Sequence, residues 1–230
     1  THFILAVNDG TGFFDIQSIT TPEQMGFVKV IAADLNNDGW TDIFVQGQEV
    51  LHWIENHGDN NFGILTEIGR FDNISYAKTQ LKDFDGDGYL DVMASVASTD
   101  LQRYLYVYKN KEGLSFSTRD PILQTETPIK GWSFKDLDQD NDEDLIINTE
   151  TMDNRANDWW WYENKGSNHF SKENFMFSIE SFYQSSQSIV IEDMDYDGDN
   201  DLLISDGDLH PLVFFVENYY NLKLNITGYA

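Results

Sequence analysis

One nine-residue acidic pattern occurs four times in the chain and limits what the chain can fold into. Each copy has Asp or Asn at positions 1, 3, 5 and 9, and the copies begin at residues 34, 83, 136 and 193. A pattern that recurs at intervals of roughly 50 residues indicates tandem repeats, each of which is one small structural unit. We therefore expect an array of similar units rather than one irregular fold.

A second pattern follows each acidic segment. It consists of an aromatic or apolar pair, then Asn, then an apolar residue six positions later. A fifth copy, Asn8 to Phe14, stands near the start with no acidic segment before it. The chain thus contains four complete repeats and one N-terminal half. The four full copies run from Asn56 to Phe62, Asn110 to Phe116, Asn164 to Phe170, and Asn218 to Leu224.

Each repeat has the pattern of four short strands, in which apolar, β-branched and aromatic residues alternate with polar ones between Gly, Asn and Asp. In the second repeat the predicted strands are 78–82, 90–96, 104–109 and 115–119. Four strands per repeat are typical of β-propeller blades, and a β-solenoid is the alternative. We predict an all-β propeller of four-stranded antiparallel blades, about five in number, forming a single domain over 1–230. Its predicted parts are an N-terminal half-blade at 1–21 and repeats at 27–71, 77–124, 130–180 and 187–228.

The acidic segments have the chemistry of a calcium loop. Ca²⁺ takes about six to eight oxygen ligands, and side chains at alternate positions of a tight loop converge on one point. Gly at position 6 permits the turn, and position 7 offers its backbone carbonyl. Without a cation the carboxylates repel one another, although Asp-rich turns without metal are the alternative. We predict about four Ca²⁺ ions. The candidate ligands are Asp34, Asn36, Asp38, Trp40, Asp42, Asp83, Asp85, Asp87, Tyr89, Asp91, Asp136, Asp138, Asp140, Asp142, Asp144, Asp193, Asp195, Asp197, Asp199 and Asp201.

An EF-hand is excluded at position 12 of the loop. An EF-hand carries a bidentate Glu there, whereas this chain has Val45, Ala94, Ile147 and Ile204. These apolar residues fit a strand that follows the loop, so the acidic loop joins two strands of one blade.

The acidic loops, together with Trp53-Ile-Glu-Asn56 and Trp161-Tyr-Glu-Asn164, resemble FG-GAP/VCBS repeats over residues 3 to about 226. The resemblance implies a propeller like those of integrin alpha chains and some fungal lectins. It also implies structural calcium on one face, and ligands on the opposite face or between blades. In this chain Asn36 replaces a carboxylate of the first loop, and Asn141 replaces the glycine of the third. We therefore expect the second loop to bind calcium more tightly than the third.

The connections on the face away from the acidic loops carry the candidate ligand-binding residues Trp159, Arg155, Arg103 and Tyr183. They have no counterpart in the other repeats, and binding energy concentrates in Arg and aromatic side chains. Trp159 opens the run Trp159-Trp160-Trp161-Tyr162, in which Trp161 matches Trp53 and is assigned to the core. Trp159 or Trp160 is a candidate platform for a sugar ring, and core packing is the alternative.

Composition excludes several classes of function. The chain has 14 Lys and Arg against 40 Asp and Glu, for a net charge of -26. That charge excludes a general nucleic-acid binder and argues against docking on anionic lipid. There is no Cys, hence no disulfide, and no apolar run approaches the ~20 residues of a membrane span. We read the start at Thr1 as the mark of a processed or trimmed product, and we expect a secreted or cell-surface location.

The combined observations favour a calcium-binding recognition module for carbohydrate or for a protein partner, without membrane insertion. Enzymatic activity has little support, because the five His occupy unrelated repeat positions and no nucleophile elbow or phosphate loop is present. Two alternatives are a polysaccharide lyase, or an accessory domain of one, and a structural spacer.

Overall fold

The computed structural model describes residues 2–20, 26–59, 61–71, 74–99, 103–153, 155–171, 174–180, 188–205, 213–217 and 225–229. Within these ranges the chain forms β-strands and no helix, and so no helix that could cross a bilayer. The strands are β1 (His2–Asn8), β2 (Phe14–Thr20), β3 (Phe27–Ala33), β4 (Asp42–Gly47), β5 (Val50–Asn56), β6 (Phe62–Arg70), β7 (Ile74–Lys82), β8 (Asp91–Ser98), β9 (Arg103–Tyr108), β10 (Asp120–Gln124), β11 (Ile129–Lys135), β12 (Asp144–Glu150), β13 (Ala156–Tyr162), β14 (Asn174–Glu180), β15 (Ser188–Glu192), β16 (Asp201–Ser205), β17 (Val213–Glu217) and β18 (Asn225–Tyr229).

The strands assemble into one two-stranded sheet and four four-stranded sheets, each with its strands in chain order. We call the four-stranded sheets blade A (β3–β6), blade B (β7–β10), blade C (β11–β14) and blade D (β15–β18). The described pairings are antiparallel, as short connections between sequential strands require. Each blade coincides with one sequence repeat. The prediction of an all-β fold built from four-stranded antiparallel blades is therefore confirmed.

The fourth strand of blade B begins later than predicted. The sequence predicts it at 115–119, whereas β10 runs over Asp120–Gln124. The Lys111 N–H donates to the Ser115 carbonyl at 2.7 Å, and the Ser117 N–H donates to the Lys109 carbonyl at 2.7 Å. These bonds close a wide turn after β9 and leave only an isolated bridge between Asn110 and Phe116. The predicted position of this strand is wrong because the turn holds those residues.

The N-terminal half-blade is a two-stranded sheet of its own. β1 and β2 pair from His2 opposite Thr20 to Asn8 opposite Phe14. In the repeat register they correspond to the third and fourth strands of a blade. Ile4, Phe14 and Ile16, which share one face, are 57–68% exposed.

By internal contacts the chain divides into two compact units. The first comprises Thr1–Ala94, Ser98–Asp100 and Tyr106–Pro121, and the second comprises Ser95–Ala97, Leu101–Leu105 and Ile122–Ala230. The assignment of 1–230 to a single domain stays a prediction.

The first unit has an aliphatic and aromatic core. Phe44, Leu51 and Val92 are fully buried there. Trp53 contacts Phe116 edge to face, with ring centroids 6.1 Å apart. This contact connects the third strand of blade A to the turn of blade B, so apolar burial joins successive repeats.

The second unit has its core on one face of blade C. Trp159, Phe177 and Ile146 of blade C pack with Leu202 and Ile204 of blade D. The Trp159 and Phe177 rings stack with centroids 6.0 Å apart. Because side chains alternate along a strand, this packing leaves Asp158, Trp160 and Tyr162 on the other face of β13.

Candidate functional site

Each acidic loop joins the first and second strands of its blade and folds around its first carboxylate. The backbone N–H of position 6 donates to the position 1 carboxylate in all four loops, at 2.9–3.1 Å. The N–H of position 7 donates to the position 5 carboxylate at 2.8–3.1 Å. The four loops therefore share one geometry, as the repeated spacing predicts.

Two positions of each loop adopt the left-handed backbone conformation. At position 6, Gly39 has φ +89° and Asn141 has φ +74°, so the third loop keeps its turn without glycine. Asn tolerates this conformation better than most residues. At position 4, Asn37, Gln139 and Tyr196 have φ between 58° and 63°. The sequence gives little sign of the second left-handed position, because only the second loop has glycine there, Gly86 with φ +76°.

The carboxylate at position 9 is fully buried in all four loops. Asp144 accepts the Leu137 N–H at 3.0 Å on one oxygen and the Asn164 N–H at 2.8 Å on the other. Blades A and B repeat both bonds. This residue therefore connects the loop to the end of the third strand, besides its predicted role as a ligand. Burial raises the pKa of Asp144 to about 6.

Three of the loops bring carboxylates together as a metal site needs. The groups are Asp83, Asp85 and Asp91; Asp136, Asp138 and Asp144; and Asp193, Asp195 and Asp197, each with one oxygen per residue within 4.8 Å of the others. Burial and the charge of Asp140 raise the pKa of Asp138, as expected of crowded carboxylates. The coordinating role of the position 7 carbonyls stays a prediction.

In the first loop a side-chain amide donates hydrogen bonds to the nearby carboxylates. The amide nitrogen of Asn36 donates to Asp38 at 3.0 Å and to Glu55 at 3.1 Å. A neutral donor thus lies where the other loops have a further carboxylate. Asn36 therefore lowers the negative charge of this loop.

The residue directly before the Asn of each turn, at the end of the third strand, also faces the loop, and the sequence did not predict this. Glu55, Glu163 and Glu217 occupy this position in blades A, C and D, and Lys109 occupies it in blade B. Glu163 contributes to the raised pKa of Asp138, and Glu217 to that of Asp195. The only sequence signal is the place of this residue directly before the Asn of the turn.

Lys109 changes the electrostatics of the second loop. Its ammonium group lies 3.1 Å from Asp85 Oδ2. A positive charge at this distance opposes a divalent cation on the same carboxylate. The second loop has the complete motif, but Lys109 competes there with a bound cation. The third loop keeps its turn although it has no glycine at position 6. The structure therefore removes the reason to expect tighter binding by the second loop than by the third.

Side-chain amides connect neighbouring acidic loops within each unit. Asn37 donates to the Gly88 carbonyl at 2.9 Å, which joins the loops of blades A and B. Gln139 donates to the Gly198 carbonyl at 2.6 Å, and Asn200 donates back to the Asp136 carbonyl at 2.7 Å, which joins blades C and D. Each donor thus depends on a carbonyl that the next or preceding repeat supplies.

The four candidate ligand-binding residues differ in where the structure places them. Trp159 is 1% exposed in the core of the second unit, so the expectation of an exposed sugar platform at Trp159 is wrong. The arginine Arg155 is exposed in the β12–β13 connection, with Nε 3.9 Å from Asp153. Arg103 lies partly buried at the start of β9, and its carbonyl accepts the Thr125 N–H at 3.1 Å. Tyr183 lies outside the described residues.

A cavity of about 370 Å³ lies in the second unit, beside blade C. Its walls are the connection 124–127 before β11 and the residues around the β12–β13 connection, with Trp160, Glu150, Asp158 and Met152 among them. Both connections belong to the set predicted to lie away from the acidic loops. Sequence reasoning named Trp160 as an alternative platform, and the structure places it in this wall.

Neighbouring contacts fix the indole of Trp160. Its Nε1 donates to Thr149 Oγ1 at 3.1 Å, and its ring meets Phe175 edge to face at 5.2 Å between centroids. Asp158 lies opposite Thr149 in the β12–β13 ladder, so the two side chains share the face of Trp160. The cavity therefore combines an aromatic ring with hydroxyl and carboxylate groups on a rigid sheet.

Comparison with solved structures supports the fold. A lectin from Agrocybe aegerita, described as recognising non-reducing terminal N-acetylglucosamine, is similar with a TM-score of 0.63 at 17% identity. The match covers 97% of this chain and 60% of the lectin chain. The Photorhabdus luminescens Tc holotoxin pore is similar with a TM-score of 0.52 at 13% identity, covering 98% of this chain and 11% of that one. The lectin match confirms the predicted propeller fold class.

Sequence comparison identifies the repeats. A search of curated proteins finds no match. The family model for the FG-GAP-like repeat matches residues 34–94, 83–147 and 136–204, which together span most of the chain. Each match begins at the first Asp of an acidic loop and ends in the second strand of the following blade. The chain therefore belongs to the FG-GAP-like repeat family.

Proposed function

We propose that this chain is a calcium-stabilised recognition module that binds carbohydrate at the cavity beside blade C. The observation that carries the proposal is the fixed indole of Trp160 in a polar cavity of about 370 Å³. This volume is at the low end of the range of about 300–1,000 Å³ for small-molecule sites. A sugar offers an apolar ring face and several hydroxyls, which match an aromatic wall among polar groups.

The location and the relatives support the same ligand class. The cavity lies in connections that vary between the repeats, and recognition residues are commonly found on loops carried by a rigid scaffold. The A. aegerita lectin has the same fold and recognises terminal N-acetylglucosamine, which makes this sugar the first ligand to test.

In the same proposal, calcium at the acidic loops is structural. The three clusters, each of three carboxylates, supply the hard oxygen ligands that Ca²⁺ prefers, and a bound ion removes the repulsion within each cluster. We further propose a secreted or cell-surface location, where calcium is abundant enough to fill sites of moderate affinity.

Screening of the folded chain on a glycan array, with calcium present, tests the proposal. We expect binding to glycans that present a particular terminal sugar, with loss of that binding in Trp160→Ala. The matched control is Trp40→Ala, which removes an exposed tryptophan from an acidic loop and leaves binding unchanged. Absence of glycan binding, or equal loss in both variants, contradicts carbohydrate recognition at this cavity. New unsaturated ends on a polysaccharide would favour the lyase alternative instead.

A further inference from the structure

The N-terminal half-blade has a strand edge without a partner. Among the described residues β1 pairs with β2 alone, whereas the third strand of each four-stranded blade lies between two others. β1 and β2 pair without a register shift, and β1 contains no proline and no Asp, Glu, Lys or Arg. A regular apolar edge of this kind is a template for the addition of another strand.

The turn after β1 has the same hydrogen bonds as the turns of the complete blades. Asn8 Oδ1 accepts the Gly10 N–H at 2.8 Å, and the corresponding Asn of blades A, B and C accepts a turn N–H at 2.9–3.1 Å. The Asp9 N–H donates to the Phe13 carbonyl at 3.0 Å. Because N–H groups alternate in direction along a strand, the N–H groups of Asn8 and Ala6 point to the free edge of β1.

In a complete blade, the Asn that corresponds to Asn8 binds the acidic half of its own blade. Its backbone N–H donates to the position 9 carboxylate at 2.7–2.8 Å in blades A, B and C. Its Nδ2 donates to the position 8 carbonyl at 3.1–3.2 Å. These three Asn residues are 3–5% exposed, whereas Asn8 is exposed. The half-blade therefore keeps the two donors that hold an acidic loop, and no described residue supplies their acceptors.

We propose that the half-blade is a docking site for a strand–acidic loop–strand segment of a partner polypeptide. The segment adds two strands at the free edge of β1 and completes a four-stranded blade, which is recognition by strand addition. Its position 9 Asp accepts the Asn8 N–H, and its position 8 carbonyl accepts Asn8 Nδ2. This inference is independent of carbohydrate binding at the cavity beside blade C.

Blade A shows how the side chains of such a segment would meet β1. In blade A, Val45 of the second strand lies opposite His52 of the third strand. Ile4 occupies the position of His52 in the repeat register and is 68% exposed. A docked second strand with the pattern of β4 therefore places an apolar β-branched side chain beside Ile4, and cross-strand pairs of this type stabilise a sheet.

A second copy of this chain fits the edge less well. Pairing of β1 with β1 of another copy places no carboxylate at Asn8, because β1 contains none. Each copy also has a net charge of -26, and this charge opposes self-association. An acidic loop segment satisfies the donors of Asn8, so we assign the edge to that partner.

The probe is a synthetic peptide of residues 26–48, which contains the first two strands and the acidic loop of blade A. Binding of the labelled peptide to the folded chain is measured by fluorescence anisotropy with calcium present. We expect saturable binding of one peptide per chain. NMR amide exchange should slow at Ile4, Ala6 and Asn8, and change little at Leu5 and Val7, whose N–H groups point to β2.

Three variants test the contacts. The peptide variant Asp42→Ala lacks the position 9 acceptor. Asn8→Asp keeps the acceptor for the Gly10 N–H but places a carboxylate against Asp42, and Ala6→Pro removes an N–H of the free edge. We expect each to weaken binding by about tenfold or more, because a hydrogen bond is lost or like charges meet. Asn61→Asp, the same change in the exposed turn of blade A, is the control and should bind as the unmodified chain does.

The outcomes decide the proposal. Ala6→Pro keeps the test valid if Asn8→Asp does not fold, since the two substitutions act on the same edge. The proposal is overturned if the peptide does not bind, if a scrambled peptide binds equally well, or if the folded variants bind as the unmodified chain does. Protection from exchange in blade A instead of β1 would also overturn it. Dimerisation of the chain through β1, measured by analytical ultracentrifugation without peptide, would assign the edge to a second copy and overturn the proposed partner.

Discussion

Replacement of Lys109 with Gln is predicted to increase the calcium affinity of the second loop. The Lys109 ammonium group lies 3.1 Å from Asp85 Oδ2 and thus near the place of an ion bound to that carboxylate. With a metal–oxygen distance of about 2.4 Å, the ammonium group is roughly 5 Å from the ion. A divalent and a single charge at roughly 5 Å repel by about 1.5 kcal/mol in a water-like dielectric.

This energy corresponds to an approximately tenfold change in affinity. It is an upper value, because Lys109 is partly exposed and its side chain can move away from the ion. In metal-free protein the same variant loses the ion pair with Asp85. We therefore expect its melting temperature without calcium to be equal or slightly lower.

Calorimetric titration with calcium measures the effect. The control Lys111→Gln removes an exposed lysine of the same turn and an equal charge, and we expect it to change affinity little. Combination with Asp83→Ala, which removes the first carboxylate of the second loop and is expected to abolish its binding, should remove the gain, because Lys109 acts on that site only. An unchanged affinity in Lys109→Gln, or a gain that persists in the Asp83→Ala background, would refute the reasoning.

Four further predictions concern stability. Calcium at a hundredfold excess over its dissociation constant should add about 2.7 kcal/mol per site, so an unchanged melting temperature with a chelator would exclude structural calcium. In metal-free protein, burial raises the pKa of Asp144 from 3.8 to about 6. The folded state then holds the proton more tightly, so this group stabilises the fold fully below about pH 4, and the stabilisation is lost as the pH rises towards 6. The melting temperature of Asp144→Asn should lack this dependence on pH. Gly113→Ala places a methyl group against the backbone of Asn36 at φ +71°, so urea denaturation should show a loss of about 1–3 kcal/mol. Trp159→Ala should cost about 3–5 kcal/mol in the same assay, whereas Met152→Ala, exposed at the cavity, should cost little.

The acidic loops could be predicted from sequence because their determinants are local. Alternate carboxylates and the residue at position 6 lie within nine residues, so their spacing fixes both the turn and the convergence of the side chains. The bond between Asp144 and the Asn164 N–H joins residues twenty positions apart, and the pairing of Lys109 with Asp85 joins an acidic loop to the turn after the third strand. Such contacts depend on which strands become neighbours in the fold. The local spacing of residues does not determine this.

The tryptophan run shows the same limit. Alternation along a strand predicts that Trp159 and Trp160 face opposite ways, and the structure agrees. Which face is covered depends on Leu202 and Ile204, which come from the next repeat and pack against Trp159. The identity of the cavity wall could therefore not be read from residues 156–162 alone.

The amide contacts between acidic loops join the blades in pairs. Position 4 is Asn37 in blade A and Gln139 in blade C, and both reach the loop of the following blade. In blades B and D the same position is Gly86 and Tyr196, which have no amide to donate. The described amide connections therefore run within the pairs A–B and C–D. Deletion of one blade of a pair would separate an amide donor from its carbonyl, whereas deletion of a whole pair would leave the bonds of the other pair intact.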